Sequence, residues 1–128
     1  MDNKVTIEFA HICENVIVAK NGNLSIINIF NQINAANFPA IHPSFTIVIG
    51  ATGDEGEHEV NIQIKKQEDE QAVLDKALPN KMKIPEFPAQ GRLFVTFSPL
   101  VTNLPGNYEI IISIADQTKI LYFEVKQI

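Results

Sequence analysis

The chain has no tryptophan and a single cysteine, Cys13. One thiol cannot form an internal disulfide, so the chain is not one of the small secreted scaffolds that depend on such bridges. Positive charge is also scarce, with ten Lys and Arg against fifteen Asp and Glu, a formal net charge of −5 and a pI near 5.1. Nucleic-acid binders draw most of their affinity from neutralising phosphates. The nearest basic group here, Lys76, Lys81 and Lys83, is offset by Glu68, Asp69, Glu70 and Asp75. That stretch reads as a solvated face, and no nucleic-acid partner is expected.

Leader-like and membrane-spanning patterns are missing as well. The opening "MDNKVTIEF" runs straight into alternating residues, with no basic region followed by an apolar one. No apolar run reaches the length of a bilayer span. Cytoplasmic residence with no membrane partner is the resulting expectation. Gly-rich phosphate loops, nucleophile elbows and Ser/His/Asp orderings are absent too.

What the chain does hold is isoleucine and phenylalanine. Residues stiff at χ1 or aromatic suit pleated, half-buried surfaces. Its 128 residues are expected to form one domain spanning 1–128. Val5, Ile7 and Phe9 are expected on one strand face, with a kink near "CENV" and a restart at Val16. Asn21-Gly22 signals a tight hairpin turn. A long strand from Leu24 to Ile33 should follow, then a loop whose Phe38 and Ile41 tuck onto the core. "SFTIVIGAT" reads as a strand buried on both sides. After the acidic turn "GDEGEH", Val60, Ile62 and Ile64 face in.

Residues 67–90 carry weaker signals. "QEDE" reads as a turn, and Val73, Leu74, Ala77 and Leu78 fit either a short strand or one helical turn. "KMKIP" reads as an edge strand, because Pro79, Pro85 and Pro88 exclude a central one. Leu93, Val95 and Phe97 mark another strand, and "PLVTNLPG" a connection. In the final hairpin Tyr108, Ile110, Ile112 and Ile114 pair with the strand of Leu121, Phe123 and Val125.

The sum is an all-β, antiparallel, immunoglobulin-like β-sandwich of seven to nine strands, with turns roughly every eight to twelve residues. "GNY" before a strand places Tyr108 where a corner tyrosine bonds nearby backbone. The Cys–Trp–Cys signature of antibody domains is absent, so the likeness is architectural.

The string "AHICENVIVAKNGNLSIINIFNQINAANFPA" resembles the opening of a family of small bacterial proteins known only as a domain of unknown function. The resemblance rests on Ala10, "NGNLSII" for the family's "dGklnl" turn and strand, Phe38-Pro39, and "GNYEI" before the closing hairpin, over about two thirds of the chain. It implies a β-sandwich and no known activity.

Chemistry-bearing clusters are few. His11 and Cys13 share a strand face and are two soft zinc ligands, but a structural site needs four, and His42 and His58 lie in other segments. Asp54, Glu55, Glu57 and Glu59 form one acidic turn and Glu68, Asp69 and Glu70 another. The intervening strand holds them about 25 Å apart, too far for one calcium. Neither metal nor cofactor is expected. Cys13 with His11 as base lacks an orienting group and an oxyanion site, and no catalytic residue is assigned.

The remaining signal is the second face of the last hairpin, where Ile111, Ile120 and Tyr122 are apolar. Exposed apolar patches mark partner surfaces. The expected function is therefore a non-catalytic protein-interaction or structural module, self-associating as a homo-oligomer or docking on a protein partner in a larger assembly. The alternative is a carbohydrate- or metal-ion-binding module, with Asn21, Asn23, Asn103 and Asn107 converging in loops at one end of the sandwich.

Overall fold

The computed structural model describes residues 4–67 and 78–128. Among the described residues eleven strands follow in order: β1 (Val5–Val18), β2 (Leu24–Ile29), β3 (Gln32–Ala35), β4 (Ala40–His42), β5 (Phe45–Gly53), β6 (Gly56–Lys66), β7 (Leu78–Ile84), β8 (Gly91–Phe97), β9 (Leu100–Thr102), β10 (Gly106–Ile114) and β11 (Gln117–Gln127). No helix occurs among the described residues. A four-stranded sheet, ordered β2-β1-β5-β8, stacks on a five-stranded one, ordered β3-β11-β10-β6-β7, and β4 and β9 form a small two-stranded sheet. The all-β sandwich is as the alternation predicts, with more strands than seven to nine.

Period-two burial builds the core. Phe45, Ile47 and Ile49 of one sheet meet Ile62, Ile64, Ile110, Ile112 and Ile114 of the other, all fully buried. Each such side chain contributes about 1.5–3 kcal/mol on leaving water. Phe45 sits among aromatic rings, with Phe30 at 5.8 Å, Phe97 at 6.1 Å and Phe123 at 5.3 Å between centroids, all edge-on. Tyr108 stacks on Phe123 at 5.1 Å. Its hydroxyl donates to the Leu104 carbonyl at 2.6 Å, the corner contact expected of "GNY". Tyr108→Phe keeps the ring and removes that bond. It is expected to lower stability by about 1–2 kcal/mol, read as a fall in the urea midpoint with an unchanged slope.

The final hairpin forms as expected, Gly106 pairing with Val125 through to Ile114 with Gln117. Its two-residue turn places Ala115 at φ 52. The Asn21-Gly22 turn is longer: Val18 pairs with Leu24, and Ala19 closes the loop onto Asn23 at 2.8 Å. β7 lies at a sheet edge, where its proline is tolerated. Of the turn assigned to "QEDE" only Gln67 is described; Glu68, Asp69 and Glu70, and the short strand or helical turn at Val73, Leu74 and Ala77, lie outside the described residues, and Leu78 begins β7.

Several local expectations are corrected. A register shift between Ile7 and Phe9 inverts the alternation. Val5, Ile7, Ala10 and Ile12 pack on the core, while Phe9 turns outward and its ring lies over Gly50, which has no side chain to obstruct it. The stretch Leu24–Ile33 is not one strand. It leaves the four-stranded sheet after Ile29 and re-enters the five-stranded one as β3, parallel to β11, so the sandwich is not wholly antiparallel. Residues 34–43 and 99–106 are not simple loops, since they supply β4 and β9. Phe38 packs on the core but Ile41 is 66% exposed, because it points away from the sandwich opposite Val101. The acidic turn shrinks to Asp54 and Glu55 between Gly53 and Gly56, and Glu57 and Glu59 already belong to β6.

The expected kink near "CENV" is a sharp fold. β1 pairs with β5 from Val5 to Cys13 and with β2 from Cys13 to Val18. Arg92 stands opposite Gly50, level with Phe9, yet its guanidinium reaches the Gly22 carbonyl at the far tip of the β1–β2 hairpin, at 3.1 Å. At about 3.3 Å per residue, a straight hairpin would carry Gly22 in the opposite direction. The ribbon of Glu14–Val18 and β2 therefore doubles back across the outer face of its own sheet. This cover explains why β5 is buried on both faces, Val48 and Thr46 included.

Candidate interaction surface

The residues singled out from sequence fall on the outer face of the five-stranded sheet. Ile111 on β10 pairs directly with Ile120 on β11, and Tyr122 follows Ile120 on the same face. Ile111 is half-buried, Ile120 is 37% exposed and Tyr122 56% exposed. Cross-strand pairing with Gln63, and of Glu109 with Lys65 and Tyr122, gives the apolar trio a polar border. Lys65 and Glu109 form an ion pair at 3.2 Å, half in solvent. An apolar centre with a polar rim is the anatomy of a protein-docking patch.

Sequence reading missed a second exposed apolar group. Ile41 and Val101 face outward together on the small β4–β9 sheet, with Leu104 also exposed nearby in the chain. Three-residue strands are too short for alternation to mark, so nothing local could have announced it.

The polar candidates are engaged in holding the fold. Cys13 is fully buried at the fold of β1, and burial pushes its thiol pKa up while the Asn15 backbone amide bonds it and opposes that rise. His11 stacks on Phe9 at 5.8 Å. His42 is buried on β4 and shares a hydrogen bond between Nε2 and Thr102 Oγ1 at 3.0 Å; desolvation lowers its pKa. His58 Nε2 donates to the Asp54 carbonyl at 2.7 Å. Asp54 accepts the Lys4 amide on Oδ2 at 2.9 Å and returns its own amide to the Lys4 carbonyl at 2.9 Å, fastening the start of β1. Among the described residues no three of His, Cys, Asp and Glu are grouped to hold a metal ion.

Two clefts accompany these groups. One, about 380 Å³, lies between Glu14, Phe30, Gln32, Ile33 and His42 to Ser44. The other, about 370 Å³, is lined by Glu57, His58, Glu59, Asn61, Ser113 and Ala115. The four asparagines do not converge. Asn21 and Asn23 ride on the ribbon tip level with Gly50, and Asn23 donates its amide to Asn21 Oδ1 at 3.0 Å. Asn107 sits at the other end, where its carbonyl accepts the Gln67 amide at 2.8 Å. No described helix is long and apolar enough to cross a membrane.

A family model described as a family of unknown function (DUF6941) matches residues 8–123. Among solved structures, the chain is similar to the crystal structure of a β-glucosidase from Listeria innocua in complex with isofagomine. That likeness has a TM-score of 0.46 at 10% identity, over 97% of this chain and 16% of that one. The chain thus spans about a sixth of that enzyme's chain, and the likeness carries no argument about activity. No curated protein matches.

Proposed function

The chain belongs to the family of unknown function DUF6941, and from its surface we propose that it is a non-catalytic interaction module that docks through the outer face of the five-stranded sheet, either on a second copy or on a larger protein assembly. The observation that carries this reading is the contiguous trio Ile111, Ile120 and Tyr122, apolar and open to solvent on strands whose other outward residues are polar. His42, His58, Thr52 and Asp54 support it from the other side. Each gives a polar atom to an internal bond, Thr52 Oγ1 to Glu8 Oε1 at 2.7 Å among them. Cytoplasmic residence belongs to the same proposal and rests on the acidic, single-thiol composition. So does an immunoglobulin-like classification, which rests on the stacked sheets and the Tyr108 corner.

The test is self-association of the wild type against a double variant, Ile120→Lys with Tyr122→Lys. Light scattering on eluting fractions should show a wild-type mass that rises with loading concentration. The double variant should stay monomeric, with stability changed by only about 0.5 kcal/mol, as for surface substitutions generally. Wild-type protein that remains monomeric at the highest soluble concentration would remove the self-docking form of the proposal. Association that survives the double variant would place it on another surface.

A further inference from the structure

We infer that the ribbon of Glu14–Val18 and β2 is a hinged strap, latched by Arg92 on the Gly22 carbonyl, which swings off the outer face of the four-stranded sheet while both sheets stay folded and thereby gates access to Cys13 and Val48.

The hydrogen-bond ladder explains how it can move as a unit. Pairing of β1 with β5 stops at Cys13 and Thr46, and beyond that point β1 pairs only with β2. Lifting the ribbon therefore breaks no ladder bond to the sandwich. On the ribbon Val16, Leu24 and Ile26 are only half-buried, and Ile17, Val18 and Ile29 are open to water. No residue from Glu14 to Ile29 belongs to the buried core. A two-stranded ribbon of this kind is marginal alone and takes its position from a few contacts.

Those contacts sit at its two ends. At the tip, Arg92 donates from Nη1 to the Gly22 carbonyl at 3.1 Å, and its Nε donates to Gln90 Oε1 at 2.9 Å, which aims the guanidinium. At the base, the Phe30 amide donates to the Ile12 carbonyl at 3.0 Å, Thr46 Oγ1 reaches the Glu14 carbonyl at 3.4 Å, and Asn28 Nδ2 donates to Glu14 Oε2 at 3.1 Å. Asn28 takes φ 54, a conformation asparagine tolerates better than most side chains. The base is thus a fixed pivot and the tip a single charge-assisted catch. Local openings of such lightly buried units occur well below the free energy of global unfolding.

Beneath the strap the surface is neutral: Val48, Thr46 and the sulfur of Cys13, each fully buried when it is shut. The Asn15 amide that bonds Cys13 belongs to the strap itself, so opening withdraws it. Closed, the thiol is shielded from solutes; open, it meets them.

Cys13 is the only thiol, so alkylation by iodoacetamide reports on this site alone. Removing the catch with Arg92→Ala should raise the labelling rate in native buffer by about tenfold, the scale set by loss of one charged hydrogen bond. Arg92→Lys, which keeps a donor, should fall between the two. Off the sheet the two-stranded ribbon is marginal and frays, so native-state hydrogen exchange on the same proteins should show the Ile26 amide accelerated and the Ile110 and Ile112 amides unchanged. Equal labelling rates in wild type and Arg92→Ala would overturn the strap. So would ribbon and core amides accelerating together, since that is global unfolding.

Discussion

Phe45→Ala is expected to cost roughly 3–5 kcal/mol, enough to remove most of the stability of an ordinary domain. Phe45 is fully buried where the two sheets meet, and three other rings pack edge-on around it. Truncation removes the transfer free energy of the ring and leaves a cavity. Phe30 comes from the connection between β2 and β3, Phe97 from β8 and Phe123 from β11, so the aromatic wall of that cavity belongs to three separate segments. No single shift can fill it. Chemical denaturation read by circular dichroism measures the loss directly, and Phe45→Leu should recover a large part of it. A cost below about 1 kcal/mol would mean that the aromatic cluster is not the packing centre.

Gly53→Ala is the second large effect, expected at about 3 kcal/mol or more. Gly53 takes φ 149, where side chains are strained, and a methyl group there would collide with the Lys4 carbonyl and come within 2.9 Å of Val5 Cα. Both contacts are backbone, which cannot rotate away as a side chain can. Relief requires the start of β1 to leave, and with it the paired bonds between Lys4 and Asp54 and the buried Val5. Besides a lower thermal midpoint, the variant should show faster exchange of the Asp54 amide than of the Ile110 amide. Gly56 also has a positive φ, 132, but its missing side chain faces open space. Gly56→Ala should therefore cost less than Gly53→Ala, which separates the collision from the strain.

The strands legible in the sequence were those with one wet and one dry side. Val60, Ile62 and Ile64, or Ile110, Ile112 and Ile114, stand out because their neighbours are polar, and burial follows that period. The apolar trio was legible for the converse reason: Ile111, Ile120 and Tyr122 occupy positions where the alternation calls for polar residues. Phe9 was misplaced because a bulge inserts its extra residue without a local signature. Leu24–Ile33 looked continuous because both halves are apolar, and only the choice of partner, β1 for one and β11 for the other, divides them. The strap was illegible for a related reason. A single bond between Arg92 and Gly22, seventy positions apart, fixes its direction.

The parallel pairing of β3 with β11 has a consequence for assembly. Gln32 meets Glu124, and Ile33 meets Val125, partners about 90 positions apart, so closing this pair carries the entropy of a very long loop. During synthesis β3 emerges early and must wait, its backbone donors and acceptors unclaimed, until the other strand leaves the ribosome. The order of birth therefore makes this short segment the last seam of the sheet to close, and the one most in need of shielding while the chain is unfinished.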